Sequence, residues 1–230
     1  RINCQRHGCT GNLCSWYHQC YFFVARRKLN TADIIVVHHA LLLSDTATEN
    51  SILPSYRRLV IDEAHNLERA AFEKLGNSFS VDEGMWLLGR LSEKRQGIDR
   101  GYLISLKARY PQYLKELTKA AHLVDLARHC LQNLAACDIA GVVGSLGARR
   151  IKPGMRGAEK LSRECRRMAV ALNDVQSSLQ EIAPLLADDG EELTLIGLAG
   201  EVGEKSSNLW MIAESLDSES DEMVLWVETD

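Results

Sequence analysis

The sequence predicts an α/β segment followed by a mainly α-helical domain, an antiparallel helix bundle, with a small cysteine-ligated region ahead of both. Three observations predict it. Two aliphatic runs, Ile34 to Val37 and Leu59 to Ile61, have the composition of buried parallel strands, and Leu41-Leu42-Leu43 opens a helix or turn between them. Two apolar series further along keep three-four spacing over four heptads. Four cysteines, Cys4, Cys9, Cys14 and Cys20, fall within 17 residues. With 230 residues, 46% hydrophobic and 25% charged, the chain buries a core and has room for two modest domains. No apolar run approaches the roughly 20 residues that span a bilayer, and the N-terminal residues lack a signal-peptide pattern. A cytoplasmic protein without a membrane partner is expected.

The cysteines come first in the chain. Their spacings are Cys-x4-Cys, Cys-x4-Cys and Cys-x5-Cys, and in an intracellular protein so tight a group points to metal rather than to disulfides. Structural zinc sites take close pairs separated by a longer loop. Nearly even, wide spacing suits a larger object such as an iron–sulfur cluster, each iron tied to one thiolate; zinc stays open as the alternative. Cys130, Cys137 and Cys165 sit in helical patterns and read as small core residues.

The net charge of −4 hides an asymmetry: residues 1–30 carry +5 with no acid, and residues 188–230 carry −12. The basic front interleaves Trp16, Tyr17, Tyr21, Phe22 and Phe23 with Arg26, Arg27 and Lys28. Aromatic faces stack on unpaired bases while cations hold phosphates. Phe22 and Phe23 read better as shields for the cysteine region, and Arg26, Arg27 and Lys28 as contacts to a nucleic-acid backbone.

After the first aliphatic run, a connector from Ser51 to Tyr56 containing Pro54 leads through Arg57-Arg58 into the second, which ends in Asp62-Glu63-Ala64-His65. Open α/β sheets bind ligands at the carboxyl ends of their strands, where these carboxylates are expected. Phosphoryl transfer to water needs a magnesium ion near the phosphates and a group acting on the attacking water. Asp62 is the candidate to hold magnesium through its waters, Glu63 to act on the nucleophile, and His65 to report nucleotide state. A plainer reading makes the two carboxylates the N-cap of a helix opening at Ala64.

Together, Cys9-x4-Cys14-x5-Cys20, the following Tyr21-Phe22-Phe23 and Ala25-Arg26-Arg27, the run Ala32 to Leu42, and Val60-Ile61-Asp62-Glu63-Ala64-His65-Asn66-Leu67 resemble the DinG branch of the iron–sulfur superfamily 2 helicases, relatives of XPD. The resemblance covers about the first 70 residues. It implies an α/β fragment of a P-loop-type helicase motor domain joined to a helical arch. Residues 1–30 would close a 4Fe-4S cluster domain, 31–75 would belong to the first motor domain with its DEAH box, 76–220 would form the arch, and 221–230 would return as a strand to the motor sheet. It further implies ATP-dependent unwinding in the 5′ to 3′ direction with magnesium and ATP as cofactors. Single-stranded DNA would pass between arch and cluster domain, forked or structured DNA would be the substrate, repair or replication the setting, and a monomer the working form.

The chain departs from that family in three places. The family's first cluster ligand lies well before the other three, so the fourth ligand is either Cys4 or a residue upstream of Arg1. His38 stands where the family has asparagine. No G-x-x-x-x-G-K-[ST] is present, the nearest approach being Gly203-Glu204-Lys205-Ser206, which lacks a glycine directly before the lysine. The chain therefore reads as an internal slice of a larger enzyme, inactive as an ATPase by itself. The readings from other classes are a zinc-binding nucleic-acid module and a helical interaction scaffold.

The helical part follows. One stripe runs from Leu103 through Leu106, Tyr110, Leu117, Val124 and Leu131 to Leu134, with Pro111 beginning or kinking the helix. A second runs from Ala158 through Cys165, Met168, Leu172 and Leu179 to Leu186, its last turn weakened by Pro184. A third, from Leu195 to Leu216, is interrupted by Gly203 and Lys205, and an earlier helix is expected near Val81 to Glu93. Between the first two stripes, Gly141 to Gly157 reads as a flexible basic loop, with Arg149 and Arg150 as candidate DNA contacts. The final Val224-Leu225-Trp226-Val227 is β in character.

Overall fold

A computed structural model describes residues 9, 11–48, 51–137, 147–218 and 224–229. The described residues form two compact units, Cys9–Asn77 and Ser78–Asp230.

The first unit carries three short helices, α1 (Tyr21–Leu29), α2 (His39–Ala47) and α3 (Leu67–Leu75), with a 3-10 turn at Ala64–Asn66 leading into α3. α2 starts where it does because the His38 side chain caps it, Nδ1 accepting a hydrogen bond from the Leu41 N–H at 3.1 Å. Asn is among the preferred N-cap residues because its side-chain oxygen does the same thing, so histidine at this departure from the family keeps the cap. Beyond α2, the buried Asp45 carboxylate accepts from the Ile52 and Leu53 N–H groups at 2.8 and 2.9 Å and pins the connector back onto the helix.

The two expected strands are not strands among the described residues. Ile34 to Val37 and Leu59 to Ile61 pair with nothing, and Val36 and Val60 are 91% and 92% exposed. The reason is that a parallel strand is made by hydrogen bonds to distant neighbours, and the described residues supply no such neighbour. Aliphatic composition alone makes no ladder.

The second unit is the bundle. It contains α4 (Val81–Leu91), a hairpin of β1 (Glu93–Arg95) and β2 (Ile98–Arg100), α5 (Tyr102–Arg109), α6 (Leu114–Ala135), β3 (Gly147–Ile151), α7 (Ala158–Ile182), α8 (Asp189–Asp217) and β4 (Leu225–Thr229). Both prolines act as boundaries. Pro111 opens a 3-10 turn between α5 and α6, and Pro184 sits in the 3-10 turn after α7, each ring being tolerated where no intrahelical N–H is needed. The stripes face one core: Leu117, Val124 and Leu131 of α6, Met168, Leu172, Val175 and Leu179 of α7, and Leu195, Val202 and Leu209 of α8 are all buried. Each buried side chain of this size stabilises the fold by about 1.5–3 kcal/mol relative to exposure.

Two serines fix how α7 meets α8. Ser162 Oγ donates to the Ala213 carbonyl at 3.3 Å and Ser206 Oγ to the Ala169 carbonyl at 2.8 Å. Low numbers on one helix meet high numbers on the other, so the pair is antiparallel. Gly203 and Lys205 do not interrupt α8. The glycine lies against the Gln176 side chain where a Cβ would collide, and Lys205 pairs with Glu83.

The basic segment expected as a flexible loop is in part a strand. β3 pairs antiparallel with β4, with Arg150 opposite Trp226 and Ile151 opposite Leu225. Ile151 is 3% exposed and anchors the ribbon on the bundle core. The β character of 225–229 is as expected, and its ladder partner is β3; Gly141 and Gly144 lie outside the described residues.

Gly101 holds the step from β2 to α5. Its φ of 115° is open only to glycine, and a Cβ there would meet the Leu91 carbonyl oxygen at 2.6 Å. Gly101→Ala is expected to destabilise the bundle by about 3 kcal/mol or more, since backbone strain of about 1–3 kcal/mol adds to a backbone collision. Gly97→Ala, at φ 77° with nothing near its Cβ, carries the strain alone and should cost about 1–2 kcal/mol. Urea midpoints of the two variants check the difference.

Candidate functional site

The DEAH segment forms a sharp exposed turn rather than a strand tip in a sheet. Asp62 Oδ1 accepts a hydrogen bond from the Glu63 N–H at 3.0 Å. Glu63 is left-handed, φ 48° and ψ 46°, a conformation that costs a non-glycine residue about 1–2 kcal/mol. The chain then turns through Ala64–Asn66, the Asn66 N–H donating to the Glu63 carbonyl at 2.8 Å. Glu63 occupies the N-cap position of this turn yet makes no side-chain cap hydrogen bond, so the plainer reading of the carboxylates as a cap fails for Glu63. Its carboxylate instead meets His65 Nδ1 at 3.3 Å, with both side chains largely open to water.

His39 holds this turn from the start of α2. Its Nε2 lies 2.9 Å from the Asp62 carbonyl oxygen. A carbonyl only accepts, so the ring carries its proton on Nε2 in this contact. Sequence reading missed this residue. The available signal was the second histidine of His38-His39: the first caps α2, and the second is left to reach across to the acidic motif.

The turn presents two adjacent carboxylates to solvent. That donor set suits a hard divalent cation, which takes carboxylate oxygens directly or through water, and a second carboxylate in reach of a water molecule suits proton abstraction.

The cysteines are placed less completely. Cys9 is exposed, while Cys14 and Cys20 are half-buried and free, Cys20 immediately before α1. Cys4 lies outside the described residues. Three accessible thiols have the right chemistry for a cluster, but among the described residues no group of three or more His, Cys, Asp or Glu side chains stands at metal-binding distance. The thiols of Cys130, Cys137 and Cys165 differ in kind. Burial in the bundle pushes all three up, Cys165 to about 12, so they stay protonated as packing groups.

Around α1 the rings pack on one another. Tyr17 and Phe23 have centroids 4.4 Å apart, and Phe22 meets Phe23 edge-on at 5.1 Å. Arg26 donates to the Ser51 carbonyl and Arg27 to the His18 carbonyl, both at 2.9 Å, and the Arg27 guanidinium lies 5.6 Å from the Tyr17 ring centre. A guanidinium has five N–H donors, so both remain able to bind an anion, and Lys28 is exposed beside them. Arg150 is exposed on β3; the side chain of Arg149 lies outside the described residues.

A family model, DEAD_2, matches residues 11–83, the stretch that contains Cys14, Cys20, the basic helix and the DEAH turn. This stretch is similar to the sequences of DinG helicases. The ATP-dependent DNA helicase DinG of Escherichia coli is 34% identical over 83 residues, and its counterpart in Salmonella typhimurium is 32% identical over 90, covering 35% and 38% of this chain. The ATP-dependent DNA helicase YoaA of Escherichia coli is 36% identical over 76 residues, 31% of this chain. In each case the match spans 12% of the relative's own length. The DinG-like stretch thus lies mainly in the first unit and ends within α4 of the bundle. No helix among the described residues is long and apolar enough to cross a membrane.

Proposed function

We propose that this chain is the cluster-and-arch segment of an ATP-dependent 5′ to 3′ DNA helicase acting in DNA repair or replication. The observation that carries the reading is the DEAH turn: two solvent-facing carboxylates on a strained backbone, braced by His39, within the DinG-like stretch. Strain of this kind persists where surrounding structure holds it, and it gathers at active sites. A zinc module or an interaction scaffold gives that turn no task.

In this reading Asp62 holds magnesium through its waters, Glu63 orients and deprotonates the attacking water, and His65 couples Glu63 to the nucleotide state. Bound magnesium supplies neutralisation of phosphate charge. Cys9, Cys14 and Cys20 provide thiolates to a 4Fe-4S cluster, with Cys4 or a residue outside this sequence as the fourth. Arg26, Arg27 and Lys28 grip the backbone of single-stranded DNA near the cluster, and Arg149 and Arg150 touch it from the arch. Residues 1–30, 31–75, 76–220 and 221–230 are assigned to cluster domain, motor domain, arch and returning strand. The unpaired runs Ile34 to Val37, in which Ile34 and Val36 are exposed, and Leu59 to Ile61, exposed throughout, are the strands a motor sheet would cover. The enzyme works as a monomer on forked or structured DNA in the cytoplasm.

These 230 residues hold no phosphate-binding loop motif, so hydrolysis belongs to the whole protein. The test is ATP turnover with and without single-stranded DNA. The whole protein is expected to turn over with DNA stimulation and the 230-residue chain not at all; DNA-stimulated turnover by the chain itself would sink the proposal.

A further inference from the structure

We infer that the outer face of the β3–β4 ribbon is a second single-strand contact, in which Trp226 stacks on an unpaired base and Arg150 holds the adjoining phosphate. It deepens the proposed function and rests on it: that reading has Arg150 touch single-stranded DNA, and the inference adds Trp226 as the stacking platform beside it.

The ribbon is two-faced by register. Arg150 stands directly opposite Trp226, and directly opposed residues of an antiparallel pair project from the same face with their Cβ atoms about 4.5–5.5 Å apart. The neighbouring pair, Ile151 and Leu225, belongs to the other face and packs on the bundle core together with Val227. The outward face therefore carries an indole, 54% exposed, beside an exposed guanidinium.

A single exposed aromatic is ordinary, so the surroundings decide. Residues 150–157 contain Arg150, Lys152 and Arg156 and no acid, and all three are exposed; by register Glu228, opposite Ala148, is one acid on the same ribbon face, and Arg149, opposite Val227, belongs to the other. The other indoles of this unit are already covered on one face. Arg90 lies 4.6 Å from the Trp86 ring centre and Arg166 lies 5.5 Å from that of Trp210, each arginine also paired with an acid. Among the described residues no cation covers Trp226 in this way. An open ring face within a positive patch matches a ligand that is both flat and anionic, and base-on-aromatic stacking with cations along the backbone is how single strands are held. A duplex keeps its bases stacked on one another and offers no face to the indole.

The experiment uses the 230-residue chain and an oligothymidine, with a duplex of equal length as comparison, read by intrinsic tryptophan fluorescence across a salt series. The oligothymidine is expected to quench the wild type and the duplex to do so only weakly. Trp226→Phe should keep most of the affinity and lose most of the quench. Trp226→Leu should bind about tenfold more weakly, within the range set by loss of one stacked base. Arg150→Gln should lower the slope of log K against log salt by about 0.7, one single-strand phosphate contact. Undiminished quenching in Trp226→Phe, wild-type affinity in Trp226→Leu, or equal quenching by the duplex overturns the inference. If Trp226→Leu fails to fold, the Trp226→Phe quench and the Arg150→Gln slope decide alone. Binding that survives these changes leaves the helicase proposal standing, because ATP turnover by the whole protein tests that separately.

Discussion

Glu63→Gln is expected to lower ATP hydrolysis by about 10²–10⁴-fold, the usual contribution of a positioned general base, while nucleotide still binds. The substitution keeps shape and removes the one property the role requires. Glutamine fills the same volume and occupies the same left-handed position, but its amide does not accept a proton from water. It also replaces the carboxylate that faces His65 at 3.3 Å. That pair is exposed and of little value to stability, so the variant should melt with the wild type. The measurement is single-turnover hydrolysis in the whole protein beside an equilibrium nucleotide-binding assay. Asp62→Asn supplies the contrast, since weakening the magnesium site should lower both binding and turnover. Hydrolysis by Glu63→Gln within a few-fold of wild type would remove Glu63 from the chemistry.

Cys14→Ser in the whole protein is expected to lose the cluster and its iron, because a serine hydroxyl stays protonated at neutral pH where a cysteine ligand is a thiolate. Cys14 is half-buried and its backbone N–H is tied to the Gly11 carbonyl at 3.1 Å, so the exchange alters the donor and little else. Cys165→Ser is the control. Its thiol is pushed up to about 12 by burial in the bundle and stays out of metal chemistry, so that variant should keep full iron while losing some stability. Elemental analysis and visible absorption of anaerobically purified protein read the outcome. Full iron in Cys14→Ser would refute the ligand assignment, and zinc in place of iron would favour the zinc module.

Much of the bundle is legible in the sequence. The positions read as stripes, such as Leu117, Val124 and Leu131 or Cys165, Met168 and Leu172, are those buried in the core, and Pro111 and Pro184 mark helix boundaries. The adjacency of Asp62 and Glu63, the order of the cysteines and the basic run Arg26-Arg27-Lys28 were also plain. All of these follow from local rules: a helix closes its hydrogen bonds within four residues, so a three-four apolar pattern is enough to state which face turns inward.

The tertiary structure decided what depends on distant partners. Aliphatic runs at Ile34 to Val37 and Leu59 to Ile61 looked like strands yet have no ladder here, while the glycine- and arginine-rich segment at 147–151 looked like loop and has one. The left-handed backbone of Glu63, the reach of His39 across 23 positions to the Asp62 carbonyl, and the pairing of Arg150 with Trp226 are likewise absent from any local pattern. Sheet pairing and side-chain bridges join residues whose separation along the chain carries no period. Composition states which residues are able to pair, and only the folded chain chooses the partner.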